Sequence, residues 1–168
     1  KKKEPRVQLL GSGTILREVI AAAAILKDDY NVNADIWSVT SFNELRREAL
    51  DVVRWNMLHP TEPAKASHVE NCLQGREGPV VAATDYMKIY ADQIREFIPG
   101  HYRVLGTDGF GRSDTREKLR HFFEVDRFYI TVAALKALSE EGKIPSEQVV
   151  QAMQKYGIDP EKPNPVTV

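Results

Sequence analysis

Apolar residues in this chain fall into two kinds of segment that take turns. Short runs rich in β-branched and aromatic residues alternate with longer stretches in which apolar positions recur every three or four residues. Residues 6–10 form the first short run, and Gly11-Ser12-Gly13 breaks it. Residues 14–30 follow with Ile15, Val19, Ala22, Ala23 and Leu26 at helical spacing. Ile36, Trp37 and Val39 mark a second strand over 34–39. Ser41 and Glu44 have the spacing of a capping box, and the helix behind them sets Phe42, Leu45, Ala49, Val52 and Val53 on one face. Residues 55–63 read as a connection and 65–73 as a short helix. A third strand is predicted over 80–84, and a helix over 85–98 that gathers Met87, Tyr90, Ala91, Ile94 and Ile98 on one side. Residues 102–105 give a fourth strand, followed by a glycine-rich loop over 106–111. Asp114 and Glu117 suit the start of a helix that ends near Phe123. A helix is predicted over 130–141, although the β-favouring run 128–132 keeps a short strand open there. The last helix spans 145–156, with Pro145 in its first turn. Three prolines, Pro160, Pro163 and Pro165, point to an extended tail over 159–168.

Strands that alternate with helices imply βαβ units and a mostly parallel sheet covered on both faces. The expected fold is α/β, a three-layer α/β/α sandwich with four or five strands. One domain over 1–158 and the tail over 159–168 account for the 168 residues. Hydrophobic residues at 42% supply enough apolar material for one core. Basic and acidic residues number 23 and 24, so neither a nucleic acid nor a membrane surface is expected as partner. Lys1-Lys2-Lys3 reads as a frayed terminus. Cys72 is the sole cysteine and cannot form an internal disulfide, which points to a reducing, cytoplasmic setting. No apolar run reaches membrane-spanning length, and no signal-peptide pattern opens the chain. The absence of an initiator Met fits a fragment.

Few residues offer chemistry by pattern alone. Gly11-Ser12-Gly13 lacks the third glycine of a dinucleotide fingerprint, since Leu16 stands there. It reads either as a tight turn with Ser12 or Thr14 capping the helix, or as a small-anion site at the helix start. The run from Gly106 to Ser113 is not a phosphate-binding P-loop, because no Gly-Lys-Ser/Thr follows. Asp108 and Arg112 can pair with each other or with another surface. Phe110, between two glycines, plugs either its own domain or a neighbouring one. His59, His68, His101 and His121 stand in no metal-binding spacing, and Cys72 reads as a bystander. Arg116, Arg120, His121 and Arg127 give the segment after the loop a basic flavour, explained by a solvated helix face.

The wording of the chain adds more than its pattern. The run YRVLGTDGFGRSDTR at 102–116 closely resembles the C-terminal domain of the homodimeric bacterial pyruvate dehydrogenases. Residues 7–13, 37–42, 54–60, 84–88 and 119–126 resemble the same region, in the same order. The Phe110-Gly111-x-Ser113 core by itself would point only to the wider transketolase-like group. The resemblance implies a transketolase-C-terminal-like domain of an enzyme that oxidatively decarboxylates pyruvate. In that enzyme thiamine diphosphate and Mg2+ lie between the N-terminal and middle domains of two subunits. The acetyl unit then passes to the lipoyl group of dihydrolipoyl acetyltransferase. The implied partners are therefore the other domains of the same chain, the second subunit and the acetyltransferase. The family's diphosphate motif, Gly-Asp-Gly with a downstream Asn, is only approached by Thr107-Asp108-Gly109, and no Asn occurs between Asn71 and Asn164. No catalytic, cofactor-binding or metal residue is expected in this domain. Asp108, Phe110, Arg112, Ser113 and Arg116 are the expected contacts to another domain or partner. A docking or assembly module, or a small-anion regulatory module, is the alternative reading.

Overall fold

The computed structural model describes residues 4–168, so the Lys1-Lys2-Lys3 run lies outside the described residues. Four parallel strands form one sheet: β1 (Arg6–Gly11), β2 (Asn33–Ser38), β3 (Val80–Ala83) and β4 (Tyr102–Leu105). Their order is β2-β1-β3-β4, with Leu9 aligned to Ile36 on one side and Val81 on the other. Central strands β1 and β3 are buried on both faces, as a parallel sheet under two helical layers requires.

Alternation along those two strands sorts the core into halves. Val7, Leu9, Val81 and Ala83 point to one side, where α1 (Leu16–Tyr30), α6 (Arg127–Glu140) and α7 (Ser146–Lys155) cover them. Leu10, Val80 and Ala82 point to the other, under α2 (Phe42–Leu58), α3 (His68–Leu73) and α4 (Lys88–Asp92). The α/β/α sandwich expected from the sequence is present. Its sheet has four strands among the described residues. Gln8 shares the second face with Leu10 and is almost fully buried. Its amide donates to Asp35 at 2.8 Å and to the Glu77 carbonyl at 3.0 Å, and accepts from the Trp37 indole at 2.9 Å. A buried amide is tolerated because each of its polar atoms has a partner.

Helix ends follow local chemistry. Asn31 closes α1 in the left-handed region (φ 54°), which asparagine adopts more readily than most residues. Asp126 opens α6 by accepting from the N–H groups of Phe128 and Tyr129.

Several sequence expectations need correction. Helix α2 continues through Trp55 to Leu58, so the predicted connection at 55 starts too early. Ser41 caps α2 by accepting from the Glu44 N–H, but the Glu44 carboxylate pairs with Arg47 and does not close the box. The complete capping box is Ser67–Glu70 at α3, a Ser-x-x-Glu that the sequence reading passed over. The single helix predicted over 85–98 is broken into α4 and a 3-10 turn, Arg95–Phe97. α5 (Arg116–Phe122) is capped by Thr115, whereas Asp114 accepts from the Thr115 N–H. Residues 128–132 belong to α6, so the strand alternative is excluded; burial of Ile130, Ala134 and Leu138 along one helical face outweighs their local β preference. Pro145 is the N-cap of α7 and not part of its first turn. The tail ends in a 3-10 turn, Pro165–Thr167, with Pro165 buried.

Strand position predicts how much each apolar residue stabilises the fold. Leu9 on β1 is 0% exposed and Ile36 on edge strand β2 is 43% exposed. Leu9→Ala should cost about 3 kcal/mol and Ile36→Ala less than about 1 kcal/mol, read from urea unfolding midpoints.

Candidate functional site

Parallel strands align their carboxyl ends at one edge. In this order the chain reverses direction between β1 and β3, the place where open α/β sheets bind ligands. Here the two loops that meet at that point bond to each other. The Ser12 hydroxyl donates to the Thr84 hydroxyl at 2.8 Å, and the Thr14 hydroxyl donates to Asp85 at 2.6 Å. The Ser12 N–H donates to the Ala83 carbonyl at 3.3 Å. The tight-turn reading had Ser12 or Thr14 capping the helix; neither side chain does, because both are committed to the loop after β3.

The glycine-rich loop after β4 is held from two sides. In front, the Thr107 N–H donates to the Tyr86 carbonyl at 2.9 Å, and its hydroxyl donates to the Asp85 carbonyl. Asp108 accepts from the Lys88 N–H at 3.0 Å, with the Lys88 ammonium 4.0 Å from its second oxygen. Asp108 therefore pairs with α4 and not with Arg112. Behind, the tail closes on Gly109. This residue has φ 111°, and an added Cβ would lie 2.4 Å from the Pro165 carbonyl oxygen. Only glycine meets both demands.

The sequence-predicted contact residues separate in the structure. Phe110 is 78% exposed and does not plug its own domain. Tyr86, Met87, Ile89 and Tyr90, on the segment that pins the loop, are also exposed. Arg112 stacks on Phe122, its guanidinium carbon 4.2 Å from the ring centroid. Ser113 is exposed, and Arg116 opens α5 with its side chain outward.

The basic stretch after the loop is more than a solvated face. Glu18 on α1 is 6% exposed and receives Arg120 at 3.1 Å. It also receives Arg127 through the backbone N–H at 3.1 Å and the guanidinium at 3.0 and 3.2 Å. Burial alone would raise the Glu18 carboxyl, but the Arg127 hydrogen bonds and the two arginine charges outweigh it and hold it below its ordinary range. His121 contacts Asp126 through Nδ1 at 2.8 Å.

The remaining histidines are also engaged. His59 stacks on Trp55, with 4.3 Å between centroids, and His101 approaches Glu140 at 3.1 Å. His68 Nε2 lies 3.5 Å from the Cys72 sulfur. Cys72, read from the sequence as a bystander, thus has a histidine beside it, and the His-x-x-x-Cys spacing on one helix was the available signal. No cluster of three metal-ligating residues occurs among the described residues. At the one place where the sequence approaches a diphosphate motif, Asp108 is bonded to Lys88 and the backbone of Gly109 meets a carbonyl oxygen. This donor set does not suit a diphosphate with its metal.

With the geometry in hand, similarity to known proteins places the chain. Residues 1–126 match the family described as the transketolase-like TK C-terminal domain. The chain belongs to that family. It is 62% identical over 164 residues to the pyruvate dehydrogenase E1 component of Cupriavidus necator, covering 98% of this chain and 18% of that protein. The Pseudomonas aeruginosa E1 component is also 62% identical, with 98% and 19% covered. The Escherichia coli K12 E1 component is 53% identical, with 95% and 18% covered. The chain thus spans less than a fifth of the length of these relatives. A solved split-gene transketolase, described as an inactive beta4 tetramer, shares the fold with a TM-score of 0.54 at 17% identity. That likeness covers 82% of this chain and 41% of the transketolase chain. In this transketolase-like domain no helix among the described residues is long and apolar enough to cross a membrane.

The Glu18 cluster predicts an acid-sensitive joint between α1 and α5–α6. Its carboxyl is held below 4.5 in the folded chain, so its stabilisation is complete above that pH and is lost as pH falls through the folded value. Glu18→Gln should cost about 2–3 kcal/mol at pH 7 in urea unfolding. The gap between variant and parent should narrow as the pH drops below 4.5.

Proposed function

We propose that this chain is the C-terminal structural domain of a pyruvate dehydrogenase E1 component and helps to hold that enzyme's dimer together. The observation that carries the reading is near-complete coverage of this chain at 62% identity to E1 components about five times its length. In the longer protein, thiamine diphosphate and Mg2+ supply the decarboxylating chemistry on pyruvate. The acetyl unit goes on to the lipoyl group of dihydrolipoyl acetyltransferase, in the cytoplasm. This chain's own residues bind and orient other parts of the protein.

The edge at the strand carboxyl ends supports a docking role. Its loops spend their hydroxyls and carboxylates on one another, which fixes the backbone before any partner arrives. Exposed apolar side chains remain there, Phe110 on the glycine loop and Tyr86, Met87 and Ile89 on the segment that pins it. Exposed apolar clusters of this kind mark interfaces. Asp108 sets the loop from within, while Phe110, Arg112 and Ser113 face the N-terminal and middle domains or the second subunit. A rigid patch loses little entropy on docking, which favours a permanent contact over a transient one.

Two measurements test this. Calorimetry of the 168-residue chain with thiamine diphosphate and Mg2+ should give no saturable heat; tight, metal-dependent binding would defeat the reading. In the full-length protein, Phe110→Asp should weaken domain or subunit association by about 2 kcal/mol or more. Sedimentation should then show a dimer that dissociates at higher concentration than the parent. Unchanged association and unchanged pyruvate decarboxylation would count against Phe110 as a contact.

A further inference from the structure

The scaffold reading leaves a concave surface without a role. A cleft of about 910 Å3 lies between α5, the α5–α6 turn and the C-terminal tail. Two of its three carboxylates, Glu18 and Asp126, are bonded within the fold. Glu18 serves Arg120 and Arg127, and Asp126 caps α6 and holds His121. Glu117 lies near enough to Arg127 to favour its charged form. The cations are not all matched. Lys162 is bonded to the Phe122 carbonyl at 2.7 Å and to Glu124 at 3.0 Å, and Lys118 stands 3.8 Å from Asp114. Arg116 makes no hydrogen bond or ion pair among the described residues. The cleft therefore holds an open guanidinium and excess positive charge in a chain whose net charge is −1.

His121 adds a second open group. Asp126 takes Nδ1, which leaves Nε2 for a ligand. With Nδ1–H donated to the carboxylate, Nε2 accepts when the ring is neutral and donates when it is charged. Phe122 and Phe128 supply apolar wall beside these groups. Stacking of Arg112 on Phe122 fixes that wall.

We propose that this cleft binds a small molecule through a phosphoryl group, held by the Arg116 guanidinium and His121 Nε2. A guanidinium matches two phosphoryl oxygens at once. Hydrogen phosphate carries both acceptor oxygens and one P–OH donor, so it meets His121 in either state of the ring. A carboxylate has no such donor and meets only the charged ring. The site differs from the exposed surface at Phe110, which does not line the cleft.

The test uses the full-length protein at pH 7, with phenylglyoxal as arginine reagent, inorganic phosphate as probe and peptide mass spectrometry as readout. Two charged contacts set a dissociation constant on the order of 1 mM. About 10 mM phosphate should then slow modification of Arg116 about ten-fold, relative to chloride at equal ionic strength. Arg17, exposed on α1, serves as the reference and should not change. His121→Ala should remove most of the protection while Arg17 still reacts at the parental rate. Equal slowing at Arg17 and Arg116 means an adventitious ion only, and overturns the proposal. Equal protection by malonate overturns it too, because the phosphoryl group is then not what is recognised. An Arg116 that is unreactive before any anion is added shows that another part of the protein fills the cleft. That result overturns this inference and leaves the scaffold reading standing.

Discussion

Two central strands buried on both faces are the constraint on which this domain depends. β1 and β3 present side chains alternately to two helical layers, and neither layer can close without both strands. Leu9 and Val81 anchor the α1/α6/α7 side, and Leu10 and Val80 anchor the α2/α3/α4 side. Because the period along a strand is two, a slip of one residue would exchange the two cores at once. The register Leu9–Ile36 and Leu9–Val81 is therefore fixed by packing on both sides.

That rigidity passes to the loops at the carboxyl edge. The turn after β1 and the loop after β3 emerge side by side because their strands are paired, and their hydroxyls and carboxylate then bond across the gap. The glycine loop after β4 leans on the same segment through Thr107 and Asp108. In many doubly wound proteins these groups face a ligand. Here they face one another, and Phe110, Tyr86, Met87 and Ile89 are left exposed on the loops they hold. The Glu18 joint does similar work lower down, tying α1 to α5 and α6 by one buried carboxylate and two arginines.

Much of the fold was legible because its signals are local. Strand runs, helical spacing and a capping serine each depend on a few neighbouring residues. Errors arose where distance mattered. Trp55 and Asn56 looked like a connection beside His59-Pro60, yet Asn56 is clasped to Lys65 by two hydrogen bonds of 2.9 Å, and α2 runs on into that clasp. The run at 128–132 looked β-favouring, but its burial against α1 and the sheet makes it helix. Asp108 and Arg112 could pair with each other or with another surface by sequence, and only the fold shows Lys88 and Phe122 taking one each.

The sequence by itself determined the family, the layer architecture and the lack of a local catalytic or metal-binding motif, because these are written in spacing and wording. Tertiary structure alone decided which charged groups are spent and which are open. Glu18 and Arg127 are 109 residues apart, and Pro165 meets Gly109 across more than fifty. Pairings at such separation are set by where the sheet places each helix, and no local pattern encodes them.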